Sequence, residues 1–426
     1  MKVAYIMSRF PKLTETFVLG EIEAMDALGA DVEIYPLLRE RQPVTHPEAE
    51  RWTRRARFLP FLSLGILAAQ GYFLRRQPAA YLRLWGDVLR GTWGSANFLI
   101  GALGILPKSV RFAYEMQLRG VAHVHAHFAT HPAVAAYIVH RLTGIPFSFT
   151  AHGSDLHVDR RMLAEKVAAA AFAVTVSEYN RDVMVRECGE QVRNRIHVIH
   201  CGVDPDRFAP PARTGRIRPL RVVCVASLEE VKGHRYLIDA CRLLRDRGVD
   251  FDCDLVGDGP LRDELARRIH RLGLGSRVHL HGGQPRQVIA RMLRDADVAA
   301  LASHPTREGK REGIPVALME AMASGLPVVS TAISGIPELV DSGRSGFLVA
   351  PRDAEALADA LELLASDEDL RRRMGAAARE TVVREFNLAA SARALYALFA
   401  AQAGDIAIPA GGATEAQAEA HAVTAA

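Results

Sequence analysis

Arg221-Val-Val-Cys-Val-Ala-Ser227 is a short apolar run that ends in small residues and gives way to a helical pattern. Such runs, bounded by turn residues, read as strands of a sheet covered on both faces. This one opens a series that continues through Phe251–Val256, Val278–His281, Val298–Ala302, Val328–Thr331 and Phe347–Val349. A matching series precedes it: Val3–Met7, Val32–Leu37, His123–Phe128, Phe147–Ala151, Phe172–Val176 and Ile196–Ile199. Helical periodicity follows several of them, as at Val18, Ile22 and Met25, behind Thr14 or Thr16 as candidate N-caps. Strands alternating with helices predict α/β architecture with parallel sheets. Between the two series lie Cys201-Gly-Val-Asp-Pro-Asp-Arg-Phe-Ala-Pro-Pro211 and Thr214-Gly-Arg-Ile-Arg-Pro219, dense enough in proline and glycine to read as a connector. The expected fold is two doubly wound parallel-sheet domains, 1–203 and 204–385, facing each other across a cleft at the carboxyl ends of their strands. An amphipathic helix, Leu388 to Phe399, falls in a segment 386–403 that follows them. Residues 404–426, rich in Ala, Gly, Glu and Thr, have little to bury and read as a disordered tail.

The bulk properties agree. A chain of 426 residues is too long for one ordinary core and suits two domains of roughly 200 residues. With 49% hydrophobic and 24% charged residues it has a globular composition, and a formal charge of +4 gives no reason to expect a nucleic-acid partner. The charge is unevenly spread. Residues 51–119 hold eleven Lys/Arg against Asp87 and Glu115, and enclose the seventeen uncharged residues Phe58–Leu74. That stretch is short of the ~20 apolar residues of a span, and Pro60, Gly65, Gln70 and Gly71 weaken it further. It reads as core helices with solvated arginines, or as a surface that docks on an anionic membrane leaflet. Five cysteines without a CxxC spacing, and an N-terminus that reads as a strand at once, suggest the cytoplasm, with a peripheral place at the inner face of the plasma membrane open to it.

Glu312-Gly-Ile-Pro-Val-Ala-Leu-Met-Glu-Ala-Met-Ala-Ser-Gly325 carries the strongest chemical signal. Gly313 admits unusual dihedrals and Pro315 suits a first helical position. The free amides of Ile314, Val316 and Ala317 would then form a phosphate cradle, with Glu312 before the helix and Glu320 within it as acceptors for sugar hydroxyls. Upstream, Lys232 follows a strand end and would add a point charge to the same phosphates. Gly257, in Val256-Gly-Asp-Gly-Pro260, would let backbone approach a base or ribose. Each feature alone has an ordinary explanation: exposed helices carry many glutamates, a lysine at a helix start is usually solvated, and Val-Gly-Asp-Gly-Pro is also a tight turn. Their order and their strand-end positions make them a set.

Gly120-Val-Ala-His-Val-His-Ala-His-Phe-Ala-Thr-His131 places four histidines within nine residues. Strand alternation puts His123, His125 and His127 on one face. His125 and His127 close a strand that feeds the cleft, so they are expected to face a ligand bound there. No Asp, Glu or Cys stands close enough in sequence to complete a local metal set, and none is expected.

With these motifs in view the chain resembles glycosyltransferase family 4, retaining enzymes of the two-Rossmann GT-B type, over nearly its whole length to about residue 403. Val-Lys-Gly233, Val-Gly-Asp-Gly-Pro260, the Glu312–Glu320 helix, His-Cys-Gly-Val-Asp-Pro-Asp-Arg-Phe208 and Thr-Ala-His-Gly-Ser-Asp155 carry the likeness. Ser8-Arg-Phe-Pro-Lys-Leu-Thr-Glu-Thr-Phe-Val18 and Arg311-Glu-Gly-Ile-Pro look like exopolysaccharide transferases of the colanic-acid type. The resemblance implies a nucleotide-diphosphate sugar as co-substrate, without a further cofactor, held mainly by the 204–385 domain. It implies that Glu320 binds the ribose, that Glu312 and His152 lie by the donor hexose, and that Lys232 meets the diphosphate. It also implies a glycan or lipid-linked acceptor on the side of the 1–203 domain, near Thr14 and Glu15, and a final helix that crosses back to that domain. Two features depart from the pattern. Ser227 stands where the family usually has arginine, leaving Arg9, Lys12, Arg307, Lys310 or Arg311 to compensate. Lys12-Leu-Thr-Glu-Thr16 replaces the usual Gly-Gly loop, so acceptor contacts should differ there. Substrate-selecting side chains are expected in loops 8–16, 39–57 and 303–311. Two other readings use the same scaffold: a nucleotide-sugar epimerase, and a catalytically silent sugar-nucleotide-binding protein.

Overall fold

A computed structural model describes residues 1–12, 15–40, 47–210 and 219–403. The expectations for Thr14 and for the 404–426 tail lie outside the described residues. All twelve expected strands form, and every pairing between them is parallel. The first sheet contains β1 (Lys2–Phe10), β2 (Asp31–Arg39), β3 (His123–His127), β4 (Phe147–Ala151), β5 (Phe172–Thr175) and β6 (Ile196–Val198), in the order β2-β1-β3-β4-β5-β6. The second contains β7 (Leu220–Val225), β8 (Phe251–Val256), β9 (Val278–Gly282), β10 (Val298–Leu301), β11 (Val328–Thr331) and β12 (Gly346–Val349), in the order β12-β11-β10-β7-β8-β9. The winding reverses between β1 and β3 in one sheet and between β7 and β10 in the other. At such a switch point the flanking loops diverge and leave a crevice for a ligand.

The strands read as apolar runs because helices cover both faces of each sheet. In the first half, Ala4, Ile6, Val124 and Ala126 point into one core and Val3, Tyr5 and Met7 into another. The helix Thr16–Ala27 buries Val18, Ile22 and Met25 as its periodicity requires. Its N-cap is Glu15, without a side-chain cap bond, so Thr16 is already inside the helix. Among the described residues, four helices, Pro47–Arg55, Leu64–Arg76, Pro78–Thr92 and Ala96–Leu118, lie between β2 and β3. Ile66, Ala69 and Phe73 face the core, while Leu62, Leu64, Trp93 and Ile100 remain 81%, 85%, 72% and 71% exposed. Among the described residues, no helix is long and apolar enough to cross a membrane.

The chain passes between the halves twice, and the two passages are tied together. Val203 donates its amide to the Phe386 carbonyl at 2.9 Å and accepts from Leu388 at 3.0 Å. The helix Leu388–Ala403 then returns to the first half, where Ala392, Leu395 and Phe399 join the core beside β1. Glu338 of the second half accepts from the amides of Glu178 and Tyr179, both at 2.9 Å, capping a helix of the first half. A carboxylate at a helix N-terminus is favoured by the unpaired amides there.

Candidate active site

The carboxyl ends of both sheets face a cleft of about 580 Å³. On the side of the second half, the helix Val316–Ala323 opens toward it. Pro315 is the N-cap, one position earlier in the motif than its expected place at the start of the helix. Gly313, Ile314, Pro315, Val316 and Ala317 all line the cleft. The first helical amides have no carbonyl one turn back to bond, so they present partial positive charge to the cavity. Glu320 follows on the same wall, 5% exposed, with its carboxyl pushed up to about 6 by burial and Arg286 opposing that effect. Arg286 Nε lies 3.7 Å from Glu320 Oε1. Lys232 reaches in from the loop after β7, and its Nζ lies 2.5 Å from Glu312 Oε2.

Gly257 lines the cleft, but its immediate neighbour is protein. A Cβ there would stand 1.9 Å from the Ala226 carbonyl oxygen, at φ +150°, so glycine lets the loops after β7 and β8 pack together. Gly313 has the corresponding role between the halves: its Cβ would stand 2.2 Å from the His152 carbonyl oxygen.

On the opposite wall His152 follows β4. Asp155 fixes this turn by accepting from the amides of Ala129 at 2.7 Å, His152 at 3.0 Å and Gly153 at 2.8 Å. Buried Lys166 donates to the carbonyls of Ala129 and Arg161, and burial pushes its amine down to about 7 against the pull of nearby acids such as Asp155. The His152 ring packs between Phe17 and Phe128, each with its centroid 4.7 Å away. Phe128 holds φ +78°, a conformation that side chains other than glycine rarely take and that clusters at functional sites. Glu15 lines the cleft and pairs with Lys12 at 2.7 Å.

The expectation that His125 and His127 face a ligand in the cleft, acceptor or donor, is corrected. Both are fully buried behind the wall. Alternation does put His123, His125 and His127 on one face, but that face is covered: Phe399 packs on His123 and His125, and Tyr5 on His125 and His127. His125 bonds Ser148 Oγ at 2.8 Å and Thr150 Oγ1 at 3.0 Å, so both of its nitrogens are engaged. Burial holds its ring well below the ordinary histidine range. Glu21, from the helix Thr16–Ala27, comes close enough to His125 and His127 that their ligand atoms fall within 4.8 Å of one another, a partner that local sequence did not reveal.

Of the five cations named as substitutes at Ser227, Lys12, Lys310 and Arg311 line the cleft. Arg9 pairs with Glu40 at 3.3 Å. Lys310 Nζ lies 2.5 Å from Glu229 Oε2, on the loop that carries Ser227. Arg286, which the motifs did not single out, joins them. The site thus offers a helix N-terminus and several cations on one wall, with buried Glu320 and half-buried Glu312 beside them, and opposite them an aromatic wall that also carries the Lys12–Glu15 pair. That arrangement suits a ligand with an anionic middle and hydroxylated ends.

Comparison with known proteins agrees with this description. A family profile described as Glycosyltransferase Family 4 matches residues 76–207, and one described as Glycosyl transferases group 1 matches residues 214–381. The glycosyltransferase WcaL of Escherichia coli (strain K12), named for colanic acid biosynthesis, is 33% identical over 404 residues, 91% of this chain and 96% of that one. The amylovoran biosynthesis glycosyltransferase AmsK of Erwinia amylovora is 32% identical over 406 residues, with the same two shares. A glycosyltransferase structure from Rickettsia africae ESF-5 superposes with a TM-score of 0.70 at 19% identity, covering 94% of this chain and 98% of that one. Anabaena HepE in complex with UDP-glucose gives 0.71 at 18% identity, covering 94% and 100%. The last two likenesses speak for the fold. The epimerase alternative finds no support among these relatives.

Proposed function

The chain belongs to glycosyltransferase family 4, and we propose that it moves a hexose from a nucleotide-diphosphate sugar to a glycan acceptor, with retention and without a metal ion. The observation that carries this reading is the wall built by the Val316–Ala323 helix N-terminus, Lys232, Glu312 and Glu320 in the cleft between the sheets. The diphosphate lies against the amides of Ile314, Val316 and Ala317 with Lys232 beside it. Glu320 accepts from the ribose hydroxyls, and the hexose reaches toward Glu312 and His152. Gly257 lies on the same wall, at the nucleoside end.

Sugar transfer passes through an oxocarbenium-like state with a departing diphosphate. The helix amides and Lys232 stabilise the charge growing on the leaving group, and loss of one such donor typically costs about 10²–10³ in rate. The helix N-terminus and cationic side chains supply positive charge at the phosphates, which is the ground for expecting metal-independent transfer. Retention requires attack from the leaving-group face, and a phosphate oxygen there takes the acceptor's proton.

The processes for which these relatives are named, colanic acid and amylovoran biosynthesis, support an exopolysaccharide or other cell-surface glycan as product. An acceptor of that kind, carried on a lipid, would be met at the cytoplasmic face of the plasma membrane. The exposed Leu62, Leu64, Trp93 and Ile100, set among arginines, supply an apolar and basic surface for such docking. The test is a panel of UDP- and GDP-hexoses incubated with and without membrane extract, and with and without EDTA. Acceptor-dependent release of nucleotide, indifferent to EDTA, is expected. Tight donor binding without turnover over a broad acceptor panel would overturn the reading.

A further inference from the structure

Behind His152 runs a line of polar side chains drawn from separate elements and set in an apolar wall. His152 Nε2 lies 3.1 Å from His127 Nδ1, with the two rings stacked at 5.3 Å. His127 Nε2 lies 3.3 Å from Glu21 Oε1, and the Tyr5 hydroxyl donates to that same oxygen at 3.0 Å. At the other end, His152 Nδ1 faces Cys201 Sγ at 3.7 Å, and Cys201 lines the cleft. His125 stands outside this line, its nitrogens held by Ser148 and Thr150.

The order of protons along the line follows from which groups can donate. A carboxylate oxygen accepts, so with Glu21 Oε1 3.3 Å away, close but not aligned as a hydrogen bond, the favoured place for the His127 proton is Nε2. His127 Nδ1 is then a lone pair. Two imidazole nitrogens in contact need one proton between them, so His152 supplies it from Nε2. What remains is an accepting Nδ1, met among the described residues only by the weak donor of the Cys201 thiol at 3.7 Å, which a sugar hydroxyl would replace. A third group that orients an imidazole through its far nitrogen is a general device for fixing its tautomer. Burial and the neighbouring His127 hold the His152 ring well below the ordinary histidine range, so it stays neutral.

Resting on the reading of His152 as a donor-hexose contact, we infer that Glu21 and His127 are positioning residues that lock His152 with its proton on Nε2, so that Nδ1 accepts a hydrogen bond from a donor-sugar hydroxyl. The chemistry selects the sugar class. A neutral accepting nitrogen welcomes a hydroxyl and repels a carboxylate, so the line favours neutral hexoses over hexuronates.

The experiment uses the full chain with ¹⁵N-labelled histidine, in which two-bond proton–nitrogen correlations read each tautomer directly. In the wild type His152 is expected as the Nε2–H form. Glu21→Leu puts an apolar side chain one atom shorter in its place, removing the acceptor from both His127 and the Tyr5 hydroxyl. It should mix the tautomers of His127 and His152 and lower kcat on the order of tenfold to a hundredfold, with unchanged affinity for UDP or GDP. A hexuronate donor should turn over less well than the hexose donor of the same base. A wild-type His152 protonated on Nδ1, an unmixed tautomer in Glu21→Leu, preference for a hexuronate donor, or zinc bound one-to-one by Glu21, His125 and His127 would each overturn the inference. His152→Ala separates it from the broader reading: full turnover in that variant removes His152 from the donor site, whereas the tautomer measurement needs no turnover.

Discussion

Glu320→Gln should make the empty protein more stable and the liganded protein weaker, and the two effects can be measured separately. The carboxyl is buried and pushed from 4.5 to about 6 by that burial, with Arg286 insufficient to offset it. The folded state therefore holds this proton more tightly than the unfolded chain does. Below pH 4.5 both states are protonated and the site costs nothing. As pH rises from 4.5 through 6, the unfolded chain ionises first and the fold loses stability. Above that window the loss is constant, on the order of 2 kcal/mol at ~1.4 kcal/mol per pKa unit. Glutamine never ionises, so the variant should gain about that much above pH 6.5 and nothing near pH 4.5. For a cooperative unit of about 200 residues the gain is roughly 4–8 °C in Tm. Thermal scans of the ligand-free protein from pH 4.5 to 8 read it. Calorimetric titration with UDP and GDP at pH 8 reads the other half. Losing a charged acceptor for ribose hydroxyls should weaken binding by about tenfold or more, at ~1.5–3 kcal/mol per such bond. A Tm difference that is flat with pH, or a glutamine variant less stable at pH 8, would refute the reasoning, because Glu320 would then be the anchor of an ion pair with Arg286.

The other predictions concern charge, fit and membrane contact. Lys310→Met should weaken nucleoside-diphosphate affinity about tenfold by removing a cation from the cleft, and adding Ser227→Arg should restore it; isothermal titration checks both. Gly313→Ala puts a Cβ 2.2 Å from the His152 carbonyl oxygen. It should push the walls apart and cost about 10²-fold in turnover, as an ångström of misplacement can, while the Tm of each half changes little. The pair Leu62→Asp and Leu64→Asp should abolish flotation with vesicles containing anionic phospholipid at low salt, since each buried leucine contributes ~1.5–3 kcal/mol, and leave turnover on a water-soluble acceptor unchanged. Wild-type protein that stays at the bottom of the gradient would remove the membrane contact from the account.

The fold was legible because its signals are local. A parallel strand covered on both faces is an apolar run whatever lies around it, and runs such as Phe147–Ala151, Phe251–Val256 and Val328–Thr331 form strands with the bounds read from sequence. The helix that returns to the first half was legible for a related reason. Leu388 to Phe399 is too apolar on one face to stand alone, and Ala392, Leu395 and Phe399 bury that face beside β1. Where a boundary depended on a cap, local reading did less well. Thr16 lies inside its helix, and Pro315 caps a helix that begins at Val316.

The site was legible only where a residue's chemistry follows from its place at a strand end. Lys232, Glu312, Glu320 and the amides after Gly313 all line the cleft because the loops after β7 and β10 must open at the switch point. The histidines show the limit of that argument. Period two correctly put three of them on one face, yet nothing within Gly120–His131 says whether that face meets solvent or protein. The answer comes from Tyr5 and Phe399, one near each end of the chain. Glu21 was invisible for the same reason: among many helical glutamates, only the tertiary fold sets this one 3.3 Å from His127. Cations behave alike. Arg9, Lys310 and Arg311 are equivalent in sequence as substitutes for an arginine at 227. Only the meeting of two loops puts Lys310 against Glu229, and only a pairing strand places Arg9 against Glu40. Sequence fixes which wall a strand-end residue joins when the connection is short. A residue whose surroundings come from the far end of the chain carries no local mark of its role, and that is where the His152–His127–Glu21 line lay hidden.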